Sequence, residues 1–555
     1  MHIVKAGAFL GDATKCKGYE AKITVIIKLN ALKWHATPLR HMLTLLVLLS
    51  LAVAARIRVV FLDFNSLVTY YLQDDGFYYY KIAANIFNLH RVTYDGEQLS
   101  NGYHPLWLAL ITLFYTPAND GIDFVYRAQW LMLCCALLTV VALYITLLRV
   151  RAGWFPSAIV TAVFCVHAYF VDMQMNGLET SLNTLMLLLI FNAFLTVFLQ
   201  PDSSLNRYIY FGVIVAGAFL ARTDNGITLL LLFCVLAWQT RRSAMQYWPR
   251  IFLSGVLAAL LVSPWLIWNQ VNFGSLIQTS GKLETIYWGE PHFDLGRTVY
   301  SLALTPPRVY EKLKFFWSIF FAPLPDPSYF SAVFMVWFAI SMSLMIFSNR
   351  STPALRALAF FCIAMAAVFS YNAGIRNLVR MWYYVPVGLF SLLSIAGFSA
   401  WFRNFLKSRV SESTATVIPV CILLLWFASV VWLYSPAKLS GIASERSPHL
   451  VVADWIQANT PPDAIIGSMN SGILSYLAQR KVINLDGVVD QRSLKAHWEK
   501  NEIAYIHERG IRYLVDNDGA LRIFCHENPL HTCKIVFTFG IQANPSRVVQ
   551  IVDKN

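Results

Sequence analysis

The feature that most constrains this chain is a succession of apolar runs. Each is roughly 18 to 22 residues long, enough to cross about 30 Å of hydrocarbon. SAVFMVWFAISMSLMIF, for example, carries no charge. A soluble domain carries roughly 25% charged residues, whereas this chain is 14% charged and 57% hydrophobic with a mean hydropathy of +0.52. The pattern predicts a polytopic α-helical membrane protein.

The formal charge of +13 invites a nucleic-acid partner. Its distribution excludes one, because Lys and Arg are scattered through short loops between apolar runs. Expected spans at 41–62, 127–148, 154–171, 178–199, 208–221, 226–239, 251–268, 329–347, 355–371, 384–402 and 416–434 make about eleven crossings. In that register Arg149, Arg151, Arg207, Arg241, Arg242, Arg250, Arg350, Arg356, Arg403, Lys407 and Arg409 all face one side. That is the positive-inside pattern. It predicts a multi-pass plasma (inner) membrane protein with residues 1–40 cytoplasmic. No cleavable signal is evident. Arg56 and Arg58 are expected to snorkel at the end of the first span.

An odd number of spans puts the C-terminus outside. The transmembrane domain, 41–435, has large outer loops at 63–126 and 269–328, and the piece HPLWLALITLFYTP reads as an interfacial helix. Residues 440–555 turn polar. HLVVADWIQANTPPD reads as a helix, and AIIGSM, KVINLDG and RYLVDN as strands, which predicts an extracytoplasmic α/β domain. Within it Trp455, Asn470, Asp486 and Gly487 either contact an acceptor or cover the site, with Asp486–Gly487 also readable as a plain turn. Cys525 and Cys533 are the pair in an oxidising compartment and are expected to form a disulfide. A zinc site with His526 and His531 is the alternative.

Ionisable residues at membrane depth are costly and mark functional sites. On the outer side the chain places Asp74 and Asp75 in QDDGFYYYKIAANIF, Asn101, Tyr103 and His104 in SNGYHP, and Glu179 in MNGLETSL. Arg222 and Asp224 follow in FLARTDNG, then Lys282, Arg376 and Arg380. Plain alternatives exist for several. Asp74–Asp75 can cap a helix, Arg222–Asp224 can be a local ion pair, Glu179 can cap the next span, and Arg376 and Arg380 can snorkel. Capping needs one aspartate, however, and the second needs a partner or a task. Asp74 shares a helix face with Tyr78, Lys81, Asn85 and Asn88, which is expected to look towards a cleft or water. Arg376 and Arg380, four apart, can share one helix face suited to a phosphate.

These segments, together with PWLIWNQVNFGSLIQTSGK and RMWYYVP and taken in order, resemble the membrane glycosyltransferases of the GT-C fold. The likeness is to bacterial members related to protein mannosyltransferases and the RgtA/B/C/D-like group. The resemblance covers most of the chain, including the C-terminal α/β extension. It implies transfer of a sugar from a polyprenyl-phosphate donor to a glycan, lipid or protein acceptor, with inversion and an acidic general base in the first outer loop. Matching the acidic pair puts the base at Asp74 and a supporting carboxylate at Asp75, with the roles open to reversal. The second position is often Glu in the family, so a metal-binding or acceptor-orienting role there stays open. A carboxylate that takes the acceptor's proton is typically worth 10²- to 10⁴-fold. Lys282, Arg376 and Arg380 are then the candidates to stabilise the leaving phosphate. Asn101, Tyr103, His104, Glu179, Arg222 and Asp224 are the supporting set. No His/Cys/Asp cluster has metal-ligand spacing, so no obligatory cofactor is expected, although a divalent metal is compatible. The rival reading is a transporter or flippase of lipid-linked sugars, which would place its charges near the midplane.

Overall fold

The computed structural model describes residues 38–117, 121–282, 306–314, 327–376, 380–433, 443, 445–525, 531–540 and 545–553. Most of the expected cytoplasmic N-terminal segment, much of the second outer loop and His526 lie outside the described residues. Each of the eleven apolar stretches falls on a helix. Among the described residues, six helical stretches are long and apolar enough to cross a membrane: Pro38–Val60, Ile122–Arg149, Thr180–Leu199, Thr223–Phe273, Pro353–Ile375 and Met381–Leu406. A seventh is added if the bent pair Trp154–Val166 and Ala168–Gln174 is one span. Leu205–Ala221, Ser331–Phe347 and Glu412–Ala428 are apolar but shorter. Length and composition alone thus qualify six or seven spans rather than eleven.

The 51-residue stretch 223–273 would be about 77 Å long if straight, more than twice the hydrocarbon thickness. A short 3₁₀ turn, Arg241–Ser243, breaks it into Gly226–Thr240 and Ala244–Phe273, and these two pack against each other. It therefore makes two passes.

The bent pair has an identifiable cause. Arg56 does not snorkel: it is fully buried. Its guanidinium donates to the carbonyls of Phe164 (3.3 Å) and Cys165 (2.8 Å), near the end of the first half-helix, and to Gln174 Oε1 (2.7 and 3.1 Å) at the end of the second. A break leaves carbonyls without intrahelical partners, and in a membrane interior these must be satisfied by neighbours. Arg56 does so across the 61° bend.

The segment after the first span is helical rather than loop-like. It contains Phe64–Tyr70, Asp74–Leu89 and Pro105–Thr112. Asp74 and Asp75 open the second of these, where the free N–H groups favour negative charge. Pro105–Thr112 packs on both Asp74–Leu89 and Leu205–Ala221 and buries Trp107 and Ile111, so it is more than an interfacial helix.

The C-terminal domain is built on a five-stranded sheet of order β2-β1-β3-β5-β4. The strands are β1 Ile465–Ser468, β2 Lys481–Asn484, β3 Tyr513–Asn517, β4 His531–Phe539 and β5 Ser546–Asp553. β1 pairs in parallel with β2 and β3, while β5 is antiparallel to β3 and β4. Helix Pro448–Asn459 precedes the sheet, and Gly472–Leu477 connects β1 to β2. Cys525 and Cys533 are disulfide-bonded, tying helix Asp518–Cys525 to β4.

This domain docks on the membrane bundle through helix Asp74–Leu89. The Asp74 carboxylate accepts the backbone N–H groups of Gly472 and Ile473, both at 2.8 Å. Tyr94 Oη donates to Ser471 (2.8 Å), and Asn484 Nδ2 donates to Tyr78 Oη (3.1 Å). Of the polar helix face expected to meet a cleft or water, Asp74 and Tyr78 thus bond to the docked domain, whereas Asn85 donates to the carbonyls of Thr93 and Tyr94 and Asn88 to the Tyr115 hydroxyl. Arg509 pairs with Asp95 and Lys481 with Glu97 further along. A Cβ at Gly472 would lie 2.0 Å from the Asp74 carbonyl oxygen, and backbone cannot yield that much. Gly472→Ala is therefore expected to loosen the domain at a cost of about 2 kcal/mol. Limited proteolysis would read this as faster release of the C-terminal domain, and unchanged release would contradict it.

Candidate active site

A cavity of about 530 Å³ lies where the bundle meets the α/β domain. The start of helix Asp74–Leu89 supplies Asp75, Tyr78 and Tyr79 to its wall. The SNGYHP loop supplies His104, the ends of two bundle helices supply Glu179 and Arg222, and the approach to helix Val385–Leu406 supplies Arg380 and Trp382. The loop after β2 closes it with Asp486. Sequence positions more than 400 residues apart meet here.

One side is a continuous polar network. Glu179 Oε1 pairs with Arg222 Nη1 at 2.5 Å, and Glu179 Oε2 accepts the Tyr79 hydroxyl at 2.9 Å. The same hydroxyl accepts the His104 backbone N–H at 3.1 Å, and His104 Nε2 lies 3.6 Å from Glu179. Arg222 also grips Asp224 with two bonds of 3.0 Å and lies over the ring of Tyr383 at 4.7 Å. Asp224 accepts from Asn372 (3.1 Å), whose Oδ1 accepts from Arg376 (3.1 Å). The bidentate Arg222 and its two carboxylates hold these charges in place, while the buried His104 Nδ1 bonds to no described residue. Burial pushes the His104 imidazole below its ordinary pKa, favouring the neutral ring.

The other side holds the aspartates. Asp74 has both carboxylate oxygens engaged by the docking helix. Asp75 is partly buried, lines the cavity, and makes no hydrogen bond or ion pair with any described residue. Burial, with Asp74 and Asp486 as negative neighbours, pushes its carboxyl up to about 7 against the pull of Arg380. Burial likewise raises Asp486 to about 7. Asp486 also forms a turn, since its carboxylate accepts the Val488 N–H (2.9 Å) and Gly487 adopts φ +83°. Turn and site coexist at this residue.

The expected cations divide. Arg380 lines the cavity, but neither Arg376 nor Lys282 does. Arg380 is in extended backbone heading a separate 3₁₀ helix, Met381–Tyr384, so Arg376 and Arg380 do not present one helical face. Lys312, on the helix 306–314, lines the cavity and was not expected, because no motif marks it in PPRVYEKLKFF. Asn101 acts behind the wall. It joins Asn269 (3.0 Å) and Thr279 (3.1 Å to its N–H), fixing the segment that presents Ser280 to the cavity. Tyr103 is buried against Trp265, with ring centroids 5.2 Å apart. Tyr79 is the bridge between Glu179 and the SNGYHP loop. Among the described residues no group of three His, Cys, Asp or Glu side chains is arranged to hold a metal ion.

Residues 440–549 match a family described as "Domain of unknown function (DUF8728)". No curated protein matches the chain. Among solved structures, the chain is similar to ArnT from Cupriavidus metallidurans in the apo state, at 14% identity and a TM-score of 0.44, over 93% of this chain and 98% of that one. The same protein bound to undecaprenyl phosphate gives 14% identity and a TM-score of 0.45, over 90% and 97%. The arabinofuranosyltransferase AftD from Mycobacteria gives 15% and 0.44, over 93% of this chain but only 40% of AftD.

Proposed function

We propose that the chain is a membrane glycosyltransferase moving a sugar from a polyprenyl-phosphate carrier to an acceptor hydroxyl on the extracytoplasmic face, with Asp75 as general base. The observation that carries this reading is the partly buried, uncommitted Asp75 carboxylate in a cavity that also presents Arg380 and Lys312. The acceptor oxygen attacks the anomeric carbon as its proton passes to Asp75. The bond from that carbon to the phosphate oxygen breaks, and its electron pair leaves with the lipid phosphate. Attack opposite the leaving group inverts the anomeric centre. The departing phosphate is already an anion, so it needs positive charge more than a proton, and Arg380 and Lys312 offer that. Asp74, fully used in docking, takes the structural role and Asp75 the chemical one. A carboxyl with a pKa near neutrality is well matched to proton transfer at physiological pH.

A transporter of lipid-linked sugars would concentrate its ionisable residues near the midplane and on broken helices. Here Asp75, Glu179, Arg222 and Arg380 all gather at helix ends under the α/β domain, which favours chemistry over transport. The test is transfer from radiolabelled polyprenyl-phosphate sugars by the purified full chain in lipid. Release of polyprenyl phosphate coupled to labelled acceptor supports the reading. Lipid translocation without transfer refutes it.

The same site predicts a pH profile. The base works only as its anion, and its pKa lies near 7 rather than the ordinary 3.8. The quantity kcat/KM is therefore expected to fall as pH drops below about 7, approaching tenfold per unit, and to level off above. Because Asp486 titrates in the same range, the limb belongs to the pair. A limb centred near pH 4 would remove Asp75 from the role.

A further inference from the structure

A second cavity, of about 540 Å³, lies beside the first and shares Gln73, Asp74 and Asn470 with it as a common wall. It sits at the carboxyl ends of β1 and β3, where Ser468 and Asn517 terminate the two strands. These are adjacent parallel strands, and the chain leaves them in opposite directions. From β1 it turns to β2 on one flank, and from β3 it continues towards β5 and β4 on the other. Such a topological switch point opens a crevice at the strand ends, the place where open α/β sheets bind ligands.

The lining states what kind of ligand fits. Among the described residues its lining includes no Lys or Arg and one histidine, His449, so it offers little to a phosphate. Its two carboxylates are already committed: Asp74 to Gly472 and Ile473, and Asp516 to the Met469 N–H at 2.7 Å. What remains is divided between apolar side chains and hydrogen-bonding ones. The hydroxyls of Ser447, Ser468 and Ser546 bond to no described residue. Phe539 adds an aromatic face. That face continues outward, since Phe539 stacks with Phe537 (centroids 5.9 Å, 14° between planes) and Phe537 with Trp455 (5.1 Å, 9°). All three rings are only partly buried. A short aromatic stack that ends with Phe539 at a crevice carrying hydroxyls suits a pyranose or furanose chain, whose rings present C–H groups to aromatic side chains and hydroxyl edges for hydrogen bonds.

We propose that this crevice is the acceptor subsite, and that the acceptor is a neutral oligosaccharide. Its chain runs along Trp455, Phe537 and Phe539, and its terminal sugar passes the Asp74 wall towards Asp75. The assignment of its end to catalysis rests on the glycosyltransferase reading. The binding itself does not.

The experiment measures binding without donor. The full chain in lipid nanodiscs is titrated with linear neutral hexasaccharides (α-glucan, α-mannan and arabinan) and with the matching monosaccharides. At least one hexasaccharide is expected to bind tenfold or more tightly than its monosaccharide. Phe539→Ala should weaken that binding at least tenfold. Thr69→Trp, which fills the crevice from an exposed helix position, should do the same without touching the core. Equal binding of hexasaccharide and monosaccharide, or wild-type binding by both crevice variants, overturns the subsite. Hexasaccharide binding lost in both variants, in a chain that transfers no sugar, keeps the subsite and refutes the transferase reading.

Discussion

Asp75→Asn is expected to lower transfer at least a hundredfold at equal protein abundance, while Asp74→Asn is expected to act differently. The amide at residue 75 keeps the shape of the side chain but cannot accept the acceptor's proton, and a positioned base is worth 10²- to 10⁴-fold. At residue 74 an amide keeps only one oxygen to accept the two N–H groups of Gly472 and Ile473. That change should loosen the α/β domain and cost activity by misplacement, with proteolytic release as its signature. The two variants also differ in stability. Asp75 has a folded-state pKa above its unfolded value, so its contribution to stability is present below about pH 4 and is lost as pH rises through about 7. An asparagine there has no charge to bury. Thermal unfolding of Asp75→Asn should therefore match wild type in acid and exceed it increasingly towards pH 7, with the gain constant above. A variant that is dead and more stable at pH 8 is what a strained functional carboxylate predicts. Full activity, or lower stability at pH 8, would remove Asp75 from its role.

The sequence brings a reader close to this pair but cannot choose between its members. Adjacent residues on a helix point about 100° apart; both line the cavity, and which of the two is left free of hydrogen bonds depends on where the docking helix Gly472–Leu477 lands, some 400 positions later. Helix positions along the bundle were legible because each had to hide its backbone in an apolar run. Arg56 was not, because its burial depends on a break in another helix whose free carbonyls it satisfies. The strands β1 to β3 read clearly as apolar segments ending in turns. β4 did not, since a bulge between Ile535 and Phe537 shifts its register and spoils the period-2 alternation that marks a strand. Among the cations, Arg380 was legible from its position beside the aromatic cluster MWYYVP. Lys312 was indistinguishable from any loop lysine until the helix 306–314 was placed over the cavity.

Arg222→Met should be the most damaging single change to folding. Its guanidinium is 8% exposed and answers two carboxylates that are themselves 3% and 11% exposed. With the cation gone, Glu179 and Asp224 are left as buried negative charges facing each other's former partner. Breaking a buried pair in this way costs about 3–5 kcal/mol, mostly as the charge left uncompensated. The expected result is a sharply lower unfolding temperature and poor yield in detergent. Arg222→Met combined with Glu179→Gln and Asp224→Asn removes all three charges at once and should recover most of that loss, because neutral groups of similar shape need no counter-ion. Recovery of stability should not bring recovery of transfer. Glu179 also orients Tyr79, and through it the His104 N–H at the head of the SNGYHP loop, so the neutral triple variant folds with that side of the cavity wall unfixed. If the triple variant is as unstable as Arg222→Met, the charges are not what holds this corner, and the packing of Arg222 on Tyr383 contributes more to its stability than the ion pairs do. If it regains both stability and activity, the network is a structural plug with no share in placing the substrate beside Asp75.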